Sequence, residues 1–355
     1  MVQTVRLGGT DIEVAAIGHG LMLMTWTPTP VSDEQAFEAI IKGVDAAGGA
    51  KVLLNSGEFY GENFSTTNLE LLARFYKKYP EYADKTVLSV KGGVDLANGH
   101  AISRYLYDYR LAKPHLSKKI SLEFLRKSID NINAKLEGTK HVDIFEAARV
   151  DPNRSIEEAM NNMKTLIEEG KFSHVGLSEC SAETLRRANA VVPVAAVEIE
   201  VSPFSYEEET RKVIATAKEL NIPVAAYSPL GRGFLTGQIT KLEDILEGDM
   251  RHQSERFKPH QTKNFPHNLT LVDALKTIAA KKGVSPGQLA LAWVRSLGPH
   301  MLPIPGSSKA SRTIENLQAA DIILTEDEKA EINGILDTIQ VKGARYQAST
   351  PGLWG

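Results

Sequence analysis

Eight short apolar runs recur along the chain, each followed by a longer amphipathic stretch, and this alternation constrains the fold more than any single motif does. The runs are Ala15 to Ile17, Val52 to Asn55, Thr86 to Lys91, Val142 to Ala147, His174 to Ser178, Val194 to Glu200, Pro223 to Tyr227 and Met301 to Pro305. Strands alternating with helical patterns mark βα units and a parallel sheet. Helical apolar spacing fills the gaps at Asn68 to Lys78, Ser121 to Leu136, Ser181 to Ala190 and Glu207 to Leu220, and later at Leu271 to Lys282, Pro286 to Ser296, Arg312 to Ala319 and Glu326 to Leu336. Ser32 with Gln35 and Ser155 with Glu158 have capping-box spacing. Ahead of the first unit, Val5 to Leu7, Gly8-Gly9 and Ile12 to Val14 read as a hairpin.

A length of 355 residues would permit two domains, but no Pro/Gly/Ser-rich linker divides the eight units. The expected fold is therefore one α/β domain over 1–355, a (β/α)8 TIM barrel with an N-terminal β-hairpin and extra C-terminal helices. Two long polar segments break the rhythm, Val94 to Lys119 and Arg232 to Asn268. Each follows a strand, which places both at the C-terminal face, where barrel active sites are built.

Charge and cysteine usage remove several function classes. The 41 Lys and Arg residues against 44 Asp and Glu give a net charge of -3, so no global field attracts nucleic acid or an anionic membrane. No run of 18 apolar residues occurs, and the start alternates like a strand, which predicts neither a membrane span nor a secretory signal. The one cysteine, Cys180, forbids an intramolecular disulfide and suits a reducing compartment, with the cytoplasm as the default. The nine histidines lack HxH and HExxH spacing, so no metal is expected. Neither GxGxxG after a strand nor GxxxxGK[ST] is present, which leaves Rossmann and P-loop readings unsupported.

Three segments carry candidate chemistry. Val52 to Gly61, VLLNSGEFYG, ends a strand with Tyr60 in a βα loop, and Lys91 closes the next strand. A phenol titrating near pH 10 donates and recovers a proton more readily beside a cation. Met301 to Asn316, MLPIPGSSKASRTIEN, follows a strand with Ser307, Ser308 and Lys309 and a helix opening with Arg312, the donors that a phosphate monoester requires at a helix N-terminus. Val224 to Gly237, VAAYSPLGRGFLTG, is a strand followed by a loop able to wrap a diphosphate through backbone N–H groups and Arg232. Trp26, Phe59, Trp354 and the aromatics between Tyr105 and Tyr109 are candidates for an aromatic pocket. Glu146 shares a strand face with Ala148 and is expected to point inward as a paired structural carboxylate.

Taken in order, LGGTDIEVAAIGHGLM, DIFEAARVDP, VGLSECSAETL, AYSPLGRGFLTG and IPGSSKASRTIEN resemble the aldo-keto reductase superfamily over nearly the whole chain. The resemblance implies a (β/α)8 barrel that binds NADPH at its C-terminal face and reduces a small-molecule aldehyde by hydride transfer. Tyr60 then matches the proton donor and Lys91 the residue lowering its pKa, with Asn55 in the position usually held by aspartate and Ala148 in that usually held by histidine. Asn55 can accept from Lys91 but cannot neutralise it, which leaves Lys91 to act more fully on Tyr60. The resemblance places Gly20, Ser178, Glu198, Tyr227, Ser228, Leu230 and Arg232 on the cofactor, with Glu198 at the nicotinamide amide. Ser307, Ser308, Lys309, Arg312, Glu315 and Asn316 fall to its adenosine end, and Trp26, Phe59 and Ala148 to the substrate.

Within the superfamily, NxGEFYG, KGG after a strand and the histidine-less ARVDP resemble the fungal pyridoxal reductase branch. Pyridoxal carries a phenolic hydroxyl beside its aldehyde, a substitute for the donor that the missing histidine would have supplied. A broader aldehyde or ketone reductase, and an NADPH-binding regulatory subunit with little turnover, stay open at this level. The sequence names no oligomeric partner.

Overall fold

The computed structural model describes residues 3–93, 121–151, 154–256, 264–346 and 354. It opens on a hairpin, β1 (Thr4–Arg6) and β2 (Glu13–Ala15), antiparallel with Val5 opposite Val14. Gly9 turns it with φ 63°, a left-handed conformation available to glycine at little cost. Leu7 and Val14 bury themselves with Leu53, Val87, Ile144, Ala225 and Leu302, all near the N-terminal ends of the strands that follow. The hairpin thus plugs one end of the main sheet.

That sheet has eight parallel strands in chain order: β3 (His19–Gly20), β4 (Val52–Gly57), β5 (Thr86–Gly92), β6 (Ile144–Ala147), β7 (His174–Ser178), β8 (Val194–Glu200), β9 (Val224–Tyr227) and β10 (Met301–Pro303). Gly18 N donates to Pro303 O at 2.9 Å, Gly20 N donates to Pro305 O at 3.1 Å, and Gly20 bridges Gly306, so the first and last strands meet and the barrel closes. A Cβ on Gly20 would lie 2.9 Å from Ile304 O, which explains glycine at the seam.

The first barrel strand differs from the expected Ala15 to Ile17. Ala15 belongs to the hairpin, while Ala16 and Ile17 pack against Leu291, Ala319 and Ala320. Their apolar character serves a helix contact, and three residues are too few for periodicity to tell the two apart.

The outer helices follow the expected order, with Asp33–Ala46, Thr67–Lys78, Leu122–Lys135, Ile156–Glu168, Ala182–Val191 and Glu208–Glu219 between strands. Ser32 and Ser155 cap two of them, accepting from Gln35 N at 3.3 Å and Glu158 N at 3.1 Å. The Gln35 side chain does not complete its box; it donates to Ser308 O at 2.8 Å and ties that helix to the turn after β10. The expected long segment Arg232 to Asn268 is shorter, because a helix over Asn264–Lys282 begins seven residues before the anticipated Leu271. Val94 to Lys119, including Tyr105 to Tyr109, lies outside the described residues. Among the described residues no helix is long and apolar enough to cross a membrane.

Register decides what the mouth contains. Asn55 pairs with Ser89, Lys91 with Glu146 and Ser178 with Glu198, so polar side chains gather at the C-terminal ends of strands whose other ends are aliphatic.

Candidate active site

Tyr60 follows β4 in a turn whose tightness depends on glycine, since a Cβ on Gly57 would come within 2.9 Å of the Tyr60 ring. The turn is held from behind. Thr25 Oγ1 donates to Tyr60 O at 2.6 Å, Asn68 Nδ2 donates to Thr25 Oγ1 at 2.8 Å, and Ser56 Oγ donates to Asn68 Oδ1 at 2.6 Å. Asn68 is fully buried. This chain of hydrogen bonds was not read from the sequence, although a buried Asn in the first turn of an amphipathic helix is a signal that could have raised it.

The Tyr60 ring is boxed by aromatics. Trp26 lies 5.8 Å from it at 33°, Phe59 5.4 Å at 89°, and Phe64 packs on Trp26 at 5.4 Å. Ala148 completes the cluster. Trp26, Phe59, Tyr60 and Ala148 are thus brought together, and Phe64 and Met22 join them without having been singled out in the sequence.

Behind the phenol is a buried charge cluster. Lys91 Nζ sits 5.4 Å from the Tyr60 ring centre and donates to Asn55 Oδ1 at 2.8 Å. It also donates to both Glu198 carboxylate oxygens, each at 2.8 Å. Asn55 Nδ2 in turn donates to Glu198 Oε2 at 2.6 Å. Burial works against a charged Lys91, but the Glu198 charge and hydrogen bonds together with the Tyr60 and Glu146 charges outweigh it, and the ammonium is held above its ordinary range. Glu198, expected at a nicotinamide amide, makes its hydrogen bonds here to Lys91 and Asn55, and so supplies the carboxylate that a buried ammonium beside a neutral asparagine lacks. The expectation that Lys91 acts uncompensated on Tyr60 is corrected accordingly. Burial pushes the Tyr60 phenol up to about 12; Lys91 draws it down by less, and Glu198 adds to the rise. The phenol therefore carries its proton at neutral pH.

Glu146 does point inward. Ser89 Oγ donates to its Oε1, while Oε2 meets no hydrogen-bond donor among the described residues. Gly176 leaves it room, since a Cβ there would meet Glu146 Cγ at 2.6 Å. Burial, reinforced by the Glu198 charge, pushes its carboxyl up to about 8.

A second cluster lies at the mouth. Glu179, fully buried and at φ 54°, accepts from Arg345 Nη1 at 3.0 Å, Arg345 Nη2 at 2.7 Å and Tyr227 Oη at 2.8 Å. The Tyr227 and Tyr346 hydroxyls are 2.8 Å apart, and Arg345 stacks 4.8 Å from the Trp354 ring. Arg232, expected at a diphosphate, donates to Glu200 Oε2 at 3.2 Å and lies 4.9 Å from the Tyr346 ring. The C-terminal Arg345 and Tyr346 were missed in the sequence because their partners are distant along the chain.

The remaining candidates lie on the loop after β9 and on the turn and helix after β10. From Ser228 to Gly237 the loop passes through left-handed backbone at Ser228, Gly231, Arg232, Gly233 and Gly237, with Leu230 packed into the core beneath it. Such turns form anion-binding concavities. The helix Ala310–Gln318 starts after Lys309 with no side-chain cap, which leaves its first N–H groups for a ligand or water. Ser307 is fixed by its carbonyl, 2.7 Å from His19 Nε2; Ser308 is half-buried, and Lys309 and Arg312 are exposed. Arg312 Nη2 donates to Gln238 Oε1 at 2.8 Å, linking helix to loop. Glu315 accepts from Ser285 Oγ at 2.5 Å, and Asn316 is half-buried beside it. An uncapped helix start with exposed cations, joined to a loop rich in left-handed turns, fits a phosphate-bearing dinucleotide.

A closed barrel of eight parallel strands, with a buried tyrosine and lysine at its C-terminal mouth, defines the class as a (β/α)8 barrel enzyme. The chain belongs to the Aldo/keto reductase family, whose profile matches residues 16–337, and it is accordingly an oxidoreductase. It is 37% identical over 339 residues to a probable pyridoxal reductase 2 of Schizosaccharomyces pombe, spanning 94% of this chain and 95% of the relative. It is 35% identical over 335 residues to the aldo-keto reductase yakc of the same yeast, a protein named for NADP(+), spanning 94% of this chain and 92% of that one. A glycerol dehydrogenase from Gluconobacter oxydans shares the fold at a TM-score of 0.76 and 21% identity, over 96% of this chain and 97% of its own. The family uses nicotinamide cofactors and acts on small-molecule carbonyl compounds.

Proposed function

We propose that the protein is an NADPH-dependent reductase of pyridoxal, acting in the cytoplasm as one barrel domain, with Tyr60 as proton donor. The observation that carries this reading is the box around Tyr60, in which Trp26 and Phe59 offer flat apolar faces and Ala148 offers no polar side chain. A planar aromatic aldehyde suits those faces. A neighbouring hydroxyl on the substrate supplies the hydrogen bond that the wall lacks. The name of the fission-yeast relative supports the substrate, and that of its second relative supports the cofactor.

Ser307, Ser308, Lys309 and Arg312 would hold the 2'-phosphate, while Ser228, Leu230 and Arg232 would follow the diphosphate. When bound, NADPH supplies the hydride that adds to the carbonyl carbon. Tyr60, protonated at neutral pH, gives its proton to the carbonyl oxygen as negative charge builds there. Lys91 lies behind the ring and favours the phenolate that remains. Trp26 and Phe59 orient the aldehyde and keep water from it.

The test is loss of reduced-nicotinamide absorbance with pyridoxal against a panel of plain aldehydes. Pyridoxal should stand first in kcat/KM with NADPH. Equal turnover of the whole panel would make the protein a general aldehyde reductase, and silence with all of them would remove the proposed activity.

A further inference from the structure

Lys91 is a buried ammonium whose neighbour on β4, Asn55, carries no charge, yet it is paired with a carboxylate. We infer that Glu198 on β8 is the positioning residue that sets the charge balance of the Tyr60–Lys91 pair, and that Asn55 is its matched partner. This rests on the reading of Tyr60 as proton donor.

The hydrogen-bond directions carry the inference. Asn55 uses both ends of its amide, accepting from Lys91 at 2.8 Å and donating to Glu198 Oε2 at 2.6 Å. Glu198 takes Lys91 on both oxygens at 2.8 Å. A carboxylate at position 55 would face the Glu198 carboxylate at the same short distance with no proton between them, a repulsive contact in a buried site. An amide at 198 with an amide at 55 would leave Lys91 without a carboxylate hydrogen-bonded to it, with Glu146 as the more distant carboxyl facing it. One acid and one amide satisfy the triangle, and either position can hold the acid provided the other holds the amide.

Among the described residues, the other titratable groups facing Lys91 are few. Tyr60 lies on the loop after β4, and Glu146 on β6 contributes a second carboxyl whose hydrogen bond comes from Ser89. Glu58, beside β5, is turned outward to Ser128 Oγ and Asn131 Nδ2 at 2.5 and 2.8 Å. Ser178 and Ala225, the register partners of Glu198, do not titrate. Removing the Glu198 charge has the same sign for both members of the pair. Tyr60 then ionises at lower pH, or Lys91 deprotonates at lower pH, and each moves the alkaline limb of the pH profile to the acid side.

The experiment compares Glu198→Gln, Asn55→Asp, the double variant Asn55→Asp/Glu198→Gln and Tyr60→Phe, by pH profiles of kcat/KM for pyridoxal with NADPH and by thermal melting. Glu198→Gln should lose roughly 10- to 1,000-fold in kcat/KM and shift the alkaline limb down by about one pH unit or more. Asn55→Asp alone should also lose at least roughly tenfold, and the double variant should recover at least roughly tenfold over the worse single one with its limb restored. Glu198→Gln within about twofold of the parent with an unmoved limb would overturn the inference. A folded double variant no better than either single one would do the same. Should Glu198→Gln fail to fold, the double variant decides: recovered fold and turnover support the pairing, and absent recovery overturns it. Near-parental turnover of Tyr60→Phe would remove the underlying reading instead, so the two failures are told apart.

Discussion

The wall opposite Tyr60 sets up a quantitative expectation about the substrate's own hydroxyl. At Ala148 the side chain donates nothing, its backbone N donates to Gly92 O at 3.0 Å, and its carbonyl already accepts from Arg149 Nη1 at 2.5 Å. Lys91 is spent on Asn55 and Glu198. Tyr60 and the Trp26 indole N–H are then the side-chain donors among the described residues of this box, and with no donor on the Ala148 wall a hydrogen bond from that side must come from pyridoxal's 3-hydroxyl. A hydrogen bond to a group gaining charge is worth about 1.5–3 kcal/mol. The 3-deoxy analogue should therefore lose roughly 10- to 150-fold in kcat, with a smaller change in KM. Ala148→His places an enzyme donor where none exists and should narrow that gap, raising kcat for the analogue relative to pyridoxal. The assay is steady-state NADPH oxidation for both substrates on both proteins. An analogue that reacts as fast as pyridoxal on the parent protein would refute substrate assistance.

Arg312 is exposed at the uncapped helix start, so Arg312→Ala should weaken NADPH by roughly ten- to a hundredfold, a charge-assisted hydrogen bond's worth, and leave NADH unchanged; equal losses for both cofactors would place the 2'-phosphate elsewhere. Arg345→Ala strands the fully buried Glu179 carboxylate and should destabilise the fold by about 3–5 kcal/mol, read from denaturant unfolding; an unshifted midpoint would mean that solvent already reaches Glu179. Glu146 binds its proton more tightly folded than unfolded, with a folded pKa of about 8, so its contribution to stability is complete below the ordinary glutamate range and is lost as pH rises through 8. Glu146→Gln should accordingly melt higher than the parent at about pH 9 and much like it at about pH 4, and a parallel drop in both proteins between those values would refute the assignment.

The barrel was legible because its evidence is local and repeated: each βα unit states its own period, and Ser32 and Ser155 mark helix starts as capping residues should. The exception, Ala15 to Ile17, is a run too short to reveal that Ile17 faces a helix instead of a strand partner. Tyr60 and Lys91 stood out by their positions at strand ends. What they touch did not, because the partner of Lys91 lies 107 residues further along the chain and is brought beside it only when the barrel curls. The same holds for Glu179 and Arg345, 166 residues apart. Motif reading placed Glu198 by its position on a strand, while its hydrogen bonds follow from the neutral residue on β4, a dependence between two sites that no local pattern expresses. The net direction of the Tyr60 shift escaped for a related reason: the sequence gives the cation's identity but not the depth of burial that outweighs it.

The most direct measurement is turnover of Tyr60→Phe with pyridoxal, beside NADPH binding by the same protein. The substitution removes one hydroxyl and keeps the ring that Trp26 and Phe59 pack against, and the Thr25 bond goes to the backbone carbonyl, so the box survives. The expected result is a loss of roughly 2 to 4 orders of magnitude in kcat, about 3–5 kcal/mol in the barrier, with NADPH affinity unchanged. Near-parental kcat would contradict the assignment of Tyr60 as the group that protonates the substrate.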